Sequence, residues 1–213
     1  MSPLELFTNI IHLYFQSRKV HFSSPNNIER GRSKSISSDL EELIAKFLSL
    51  NSSNNQNRYF IDQPVSIEEC KGNIYPDILI QAPDGKVEHI IDVKADLGWL
   101  RGEGFLEYCL KWQRKIDEIK SRKFCFKSGI DKSEKEGFFS DKLKMYIVII
   151  SGENGGSRTV EECLKFQNEF NNINVYIFSD KFHANAYNLS IDEIIKKINI
   201  REDDIKFLLG ELH

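Results

Sequence analysis

Apolar residues recur along this chain with two spacings, one typical of helices and one typical of strands. Apolar positions that return every three or four residues indicate amphipathic helices, whereas short apolar or alternating runs indicate strands. The helical spacing predicts helices at 1–16, 39–50, 103–123, 159–171 and 190–210, the last interrupted near Asn199. The strand spacing predicts strands at 58–67, 75–82, 86–95, 143–151 and 173–179.

The order of these elements predicts the fold class. From residue 39 onwards, a helix precedes three strands, and a helix, a strand, a second helix and a last strand follow. This order is typical of an α/β domain in which helices cover both faces of a mixed sheet. With 213 residues, 40% of them hydrophobic, the chain can form one domain with a substantial core. We expect the core within about 38–180, flanked by an N-terminal helix and arm (1–37) and a C-terminal helical region (188–213).

A hairpin between the second and third predicted strands can be specified in more detail. Asp84-Gly85 is a preferred centre of a two-residue hairpin loop. If these two residues form the loop, Asp77 faces Asp92 across the two strands. Side chains alternate between the faces of a strand, so Lys94 lies on the same face as Asp92, and the opposite face is mostly apolar.

The paired carboxylates indicate a metal site. Like charges that face each other across a β-ladder repel, which makes them unfavourable in a sheet without a binding function. Mg²⁺ removes this repulsion, because it prefers carboxylate oxygens as ligands. We predict a Mg²⁺ site, which Mn²⁺ would also occupy, formed by Asp77, Asp92 and the carbonyl of Val93. Lys94 would orient or deprotonate a water molecule or hold a phosphate oxygen, a combination suited to phosphodiester hydrolysis. The alternative interpretation is a surface hairpin with solvated charges.

The spacing of these residues resembles a known motif. Pro76-Asp77 is followed, after fourteen residues, by Asp92-Val93-Lys94. The pattern resembles the PD-(D/E)xK motif of the restriction-endonuclease-like nucleases, with Asp in the (D/E) position, and the predicted elements over about 38–180 resemble the αβββαβ core of that superfamily. The resemblance implies a Mg²⁺-dependent endonuclease acting on DNA, in which Asp77 and Asp92 bind the metal and Lys94 assists the attacking water.

Many members of that superfamily add a glutamate from the helix before the strands, and two adjacent glutamates are candidates here. On a helical wheel, Glu41 lies at the edge of the apolar face and Glu42 lies nearly opposite that face. We therefore predict Glu41 as a further catalytic residue and metal ligand. Ser38 and Glu41 also have the spacing of a capping box, a role that is compatible with metal binding.

Residues after the motif are candidates for contacts with nucleic acid. Arg101, near the start of the predicted helix 103–123, would reach a scissile or neighbouring phosphate, and the alternative is a solvated arginine. Lys111, Gln113 and Arg114 lie off the apolar stripe of that helix and would face DNA phosphates, although a solvated helix face explains them equally well. Trp112 lies on the apolar stripe and is interpreted as a packing residue rather than a platform for base stacking.

Composition restricts the functional class only slightly. The net charge of −3 neither favours nor excludes a polyanionic partner, because binding responds to local patches. Four widely spaced cysteines and five scattered histidines favour neither a disulfide framework nor a zinc site, and a reducing cytoplasm fits them best. The first 16 residues match neither a signal peptide nor a membrane span. We expect no membrane partner and no organic cofactor.

The expected function is that of a type II restriction enzyme or a related defence nuclease, working as a homodimer to cut both DNA strands. This expectation rests on analogy with the superfamily. Two alternatives stay open. One is a catalytically silent nucleic-acid-binding module of the same fold, and the other is a nuclease for branched DNA or for RNA.

Overall fold

The computed structural model describes residues 1–20, 30–70, 72–100, 104–154, 161, 165 and 170–212. Within them the helices are α1 (Pro3–Ser17), α2 (Ser37–Asn51), α3 (Phe105–Ile119), α4 (Ile191–Lys197) and α5 (Glu202–Glu211), with a 3₁₀ turn at Leu97–Leu100. The strands are β1 (Arg58–Ile61), β2 (Val65–Ile67), β3 (Asn73–Ile74), β4 (Ile78–Gln81), β5 (Lys86–Asp96), β6 (Lys123–Lys127), β7 (Glu134–Ser151), β8 (Ile173–Ile177), β9 (Ser179–Asp180) and β10 (Asn199–Ile200).

The strands form a mixed, mostly antiparallel open sheet, and β9 and β10 pair separately. The order in the main sheet is β1-β4-β5-β7-β6-β2-β3, and β8 also pairs with β7. The long strand β7 runs parallel to β5 along one edge, while its other edge pairs first with β6, antiparallel, and then with β8, parallel. The predicted α/β class and mixed sheet are confirmed.

Helices cover both faces of the sheet, as the order of elements predicts. On one face, Ile78, Ile91 and Val93 belong to a core that includes residues of α1, α2, α4 and α5. On the other, Leu79 and Ile90 belong to a core that includes residues of α3. Successive strand residues point to opposite faces, so Asp92, two positions after Ile90, lies on the α3 side.

The loop of the β4–β5 hairpin differs from the prediction, but the register near the site does not. Gly85 donates a backbone hydrogen bond to Ala82 and has a φ of +87°, a conformation that favours glycine. The loop is therefore three residues long rather than two. A β-bulge between β4 and β5 then shifts the register back. As a result Leu79 pairs with Ile90, as predicted, although Gln81 pairs with Val87 instead of Glu88.

Several predicted elements have different bounds in the structure. The predicted strand 58–67 is two strands, because β1 pairs with β4 while β2 pairs with β6. The strand β6 was not predicted, and β7 begins nine residues before the predicted start at 143. The predicted break near Asn199 is confirmed, since β10 separates α4 from α5. The predicted helix 159–171 lies almost entirely outside the described residues.

A close backbone contact holds the hairpin against β7. A Cβ atom at Gly137 of β7 would lie 2.5 Å from the carbonyl oxygen of Gly85 and 2.5 Å from the ring of Phe124. Only glycine allows this approach, so the β4–β5 hairpin packs directly on the first half of β7. No helix in the described part of the chain has both the length and the apolarity needed to cross a membrane.

Candidate functional site

The structure brings together the three charged residues of the predicted motif. Asp77 comes directly before β4, and Asp92 and Lys94 lie on β5. The Lys94 ammonium lies 2.6 Å from Oδ1 of Asp92 and 3.6 Å from Oδ2 of Asp77. The antiparallel ladder ends one pair before Asp77 and Asp92. The like charges are therefore bridged by a lysine, which reduces their repulsion without a metal ion.

Asp77 is held by the backbone on both sides. Its Oδ2 accepts a hydrogen bond of 2.6 Å from the N–H of Val93, and its carbonyl accepts one of 2.9 Å from the N–H of Asp62. Burial and the charge of Asp92 nevertheless raise the pKa of Asp77 to about 6, against the opposing effects of Lys94 and Val93. The site thus carries more negative charge than its single lysine compensates.

Val93 contributes its backbone rather than its side chain. The side chain is buried in the core on the α2 side of the sheet, while its N–H points to the edge of β5 where Asp77 lies. The N–H and the carbonyl of one strand residue point to the same side of the strand. The Val93 carbonyl, the predicted metal ligand, therefore faces the same edge as the Asp77 carboxylate.

Asp92 is the more buried of the two aspartates, with 8% of its side chain exposed. Its Oδ1 accepts the Lys94 hydrogen bond. Its Oδ2 is buried and has no hydrogen-bond partner among the residues that the structure describes. A buried carboxylate oxygen normally has a donor or a cation beside it. The unpaired oxygen therefore fits a site for a cation.

The donor set is otherwise incomplete. Within the described ranges, no group of three or more His, Cys, Asp or Glu side chains is arranged to hold a metal ion. The side chains of Asp77, Asp92 and Glu41 therefore do not form a preformed three-carboxylate cage. Mg²⁺ is often bound by only one or two carboxylates and keeps several waters, so two aspartates and a backbone carbonyl still suit it. The metal roles of these residues stay predictions.

Glu41 lies at the edge of α2 that faces this charged cluster. It is partly buried, whereas Glu42 is exposed. Burial, followed by the charges of Asp77 and Asp62, raises the pKa of Glu41 to about 7. The predicted capping box between Ser38 and Glu41 is wrong, because α2 begins at Ser37 and its N-terminus has no side-chain cap.

Two neighbours of the site carry no motif signal and were not predicted. Asp62 lies in a left-handed turn after β1, with a φ of 47°, and adds a fourth carboxylate near Glu41. Tyr108 of α3 lies beside Asp92: burial, the charge of that carboxylate and a hydrogen bond with it raise the pKa of Tyr108. Both residues reach the site only through the packing of distant segments, so local sequence patterns could not identify them.

The candidate contacts with nucleic acid differ in how available they are. Lys111 and Arg114 are exposed on α3. The Gln113 amide is used within the protein, since its Nε2 donates to Asp117 and its Oε1 accepts from the N–H of Asn172. Arg101 lies outside the described residues. Lys111 and Arg114 therefore remain the stronger candidates for phosphate contacts.

No protein-family model, curated protein or solved structure matches this chain.

Proposed function

We propose that this chain is a Mg²⁺-dependent endonuclease that hydrolyses phosphodiester bonds of DNA. The observation that carries the proposal is the cluster in which Lys94 lies between Asp77 and Asp92 while one buried oxygen of Asp92 lacks a partner among the described residues. An excess of carboxylates beside one lysine favours binding of a divalent cation. The PD-(D/E)xK spacing of these residues and the position of the β4–β5 hairpin between the helices α2 and α3 support the proposal.

Each residue of the cluster has a distinct part in this mechanism. Asp77 and Asp92 would hold the metal ion together with the Val93 carbonyl. When bound, Mg²⁺ would lower the pKa of a coordinated water and neutralise charge on the phosphate. Lys94, with three donor hydrogens, would orient the attacking water or a phosphate oxygen. Glu41, whose carboxylate lies near Asp77, would add a further ligand to the metal ion.

The proposal is tested by incubating supercoiled plasmid DNA with the purified protein in Mg²⁺, Mn²⁺, Ca²⁺ or excess EDTA. We expect nicked or linear DNA with Mg²⁺ and Mn²⁺. With Ca²⁺ we expect binding but little cleavage, because its larger and looser coordination positions water poorly. Full cleavage in EDTA would contradict the metal assignment. Binding without cleavage in every metal would support the silent module instead.

We also propose a biological role for this endonuclease, which is more specific than its chemistry. As a type II restriction or related defence nuclease, the protein would act as a homodimer and cut at a recurring sequence. Digestion of a long DNA of known sequence, followed by sequencing of the fragment ends, distinguishes the classes. Ends at one short sequence would support a restriction enzyme, and ends at junctions or unpaired segments would support a structure-specific nuclease.

A further inference from the structure

A cavity of about 540 Å³ lies between the segment that leads into β4 and one side of α3. Its walls include two aromatic side chains, Tyr75 and Trp112. Tyr75 comes two residues before Asp77 and is 60% exposed. Trp112 packs against the core on the α3 side, as the sequence predicts, but it is only partly buried and also lines the cavity, so packing does not exclude a second role in base stacking. The cavity thus presents one aromatic ring anchored by the core and one exposed to solvent.

Positive charge lines the same cavity. Lys111 and Arg114 contribute to its wall, and neither forms an ion pair with another residue in the described part of the chain. Lys115 also lines it, but its ammonium lies 3.0 Å from Glu118, a carboxylate in the same wall. Among the described residues, two positive charges beside the aromatic rings therefore have no ion-pair partner.

Two residues of the cavity wall, Tyr75 and Trp112, have close neighbours at the proposed catalytic cluster. Trp112 lies one helical turn after Tyr108 on the same face of α3. Tyr108 lies beside Asp92, and a hydrogen bond with Trp112 partly offsets the rise in the Tyr108 pKa. On the opposite wall, only Pro76 separates Tyr75 from Asp77. A strand held in the cavity would therefore bring a phosphate close to the two aspartates.

We infer that this cavity binds one unpaired nucleotide of a DNA strand, with its base between Tyr75 and Trp112 and a phosphate at Lys111 and Arg114. The inference rests on the proposed nuclease function and narrows its substrate to DNA with a single-stranded segment at the cleavage site. Aromatic rings beside a positively charged groove are typical of proteins that bind single strands. In a duplex, neighbouring bases cover both faces of each base, which must leave the stack to enter a pocket.

Binding can be measured separately from cleavage with the Asp92→Asn chain in Ca²⁺. The fluorescence anisotropy of labelled DNA reports the affinity for a single strand, for the same sequence as a duplex, and for an abasic strand of equal length. We expect the base-containing single strand to bind most tightly. Tyr75→Ala should weaken the binding of this strand roughly 5- to 150-fold, the range found for loss of one base–aromatic stack, and should leave binding of the abasic strand nearly unchanged.

Matched variants test the aromatic and the positively charged residues of the cavity separately. Tyr187 is 61% exposed and lies beside Tyr14 and His183, away from the cavity, so Tyr187→Ala should change no affinity. Lys111→Ala and Arg114→Ala should weaken the binding of all three DNAs. Each should also reduce the slope of log K for DNA binding against log salt concentration by about one unit. Lys142→Ala, which removes an exposed lysine of β7, should do neither.

Several results would overturn the inference. Unchanged affinity of Tyr75→Ala for the single strand, or equal losses for the base-containing and abasic strands, would show that no base enters the cavity. Tighter binding of the duplex than of the single strand would reject the substrate class, and a preference for an RNA strand above about tenfold would reject DNA. If the wild-type chain binds the single strand but does not cleave it, the nuclease proposal is contradicted and nucleotide binding in the cavity is supported.

Discussion

Asp77 and Asp92 are chemically identical side chains that the fold treats differently. Asp92 is nearly buried and lies 2.6 Å from the Lys94 ammonium. Asp77 lies farther from that ammonium, at 3.6 Å, and its pKa is raised to about 6. In the sequence the two form a symmetric repelling pair. In the structure the pair is asymmetric, because Asp92 is the more buried of the two and lies nearer to the Lys94 ammonium.

At the residue scale, the first prediction concerns catalysis. Asp92→Asn and Lys94→Ala should each lower the rate of DNA cleavage in Mg²⁺ by at least about 10²-fold, the effect of losing a positioned catalytic group. Circular dichroism should show that both variants fold. Lys142→Ala is the matched control and should cleave at the wild-type rate. A folded Asp92→Asn protein with wild-type activity would refute the assignment of the site.

The second prediction separates the adjacent glutamates. Glu41→Gln should strongly weaken cleavage and raise the Mg²⁺ concentration that half-saturates it, because a partly buried carboxylate near Asp77 is lost. The variant should fold, since Glu41 caps no helix, and at neutral pH it should be more stable than the wild type, because a carboxylate with a raised pKa is removed. Glu42→Gln, which alters an exposed residue on the other side of α2, is the control.

Titration of cleavage against Mg²⁺ at fixed pH measures both effects of these glutamates. Equal and negligible effects of the two substitutions would contradict a catalytic or metal-binding role of Glu41. A large effect of Glu42→Gln alone would mean that α2 is rotated on the sheet relative to the structure.

At the scale of elements, the site depends on how the β4–β5 hairpin packs against β7. The hairpin loop holds Gly85 at a positive φ, and Gly137 of β7 lies directly against it. The bulge in the ladder then restores the register that places Asp77 near Asp92. A local turn, one close contact and one bulge therefore set the distance between the two carboxylates.

The third prediction tests that contact. Gly137→Ala would push a Cβ atom into the backbone of the hairpin, and overpacking of this kind costs about 1 to 3 kcal/mol. The melting temperature should fall by roughly 3 to 10 °C for a chain of this size. Gly129→Ala is the matched control, because a Cβ there would meet no atom within 4 Å. Equal melting temperatures for the two variants would contradict the close packing at Gly137.

At the scale of the whole molecule, the raised pKa values link stability to pH. Burial and neighbouring carboxylates raise the pKa of Asp77 from its ordinary value of 3.8 to about 6, and that of Glu41 from 4.5 to about 7. The folded state therefore holds more protons than the unfolded state between about pH 4 and 7. Stability is lost as the pH rises through this window, because the two carboxylates must ionise in an unfavourable environment.

The fourth prediction follows from this loss of stability with rising pH. Asp77→Asn should gain stability relative to the wild type as the pH rises from about 4 to 7, by on the order of 1 to 3 kcal/mol for a shift of about two pKa units. Urea unfolding at several pH values measures the difference. Mg²⁺ should raise the wild-type stability at the upper end of this range and should have less effect on Asp77→Asn. A pH-independent difference would show that Asp77 does not retain its proton in the folded chain.

The sequence alone determined the features that depend on neighbouring residues. The alternation of β4 and β5 placed Asp92 and Lys94 on one face, and the apolar spacing of α2 placed Glu41 at its edge and Glu42 in solvent. Turn chemistry located the hairpin, because a loop's conformation depends chiefly on its own residues. The break near Asn199 was likewise visible in the local pattern.

Only the tertiary structure decided the features that depend on distant segments. β6 and the first half of β7 form strands because they pair with each other, and their polar residues give little local signal. The segment 58–67 divides because its halves pair with different strands. The position of Lys94 between the aspartates, the pKa of Glu41 and the approach of Tyr108 depend on burial and charge. Both arise only when segments far apart in the sequence pack together.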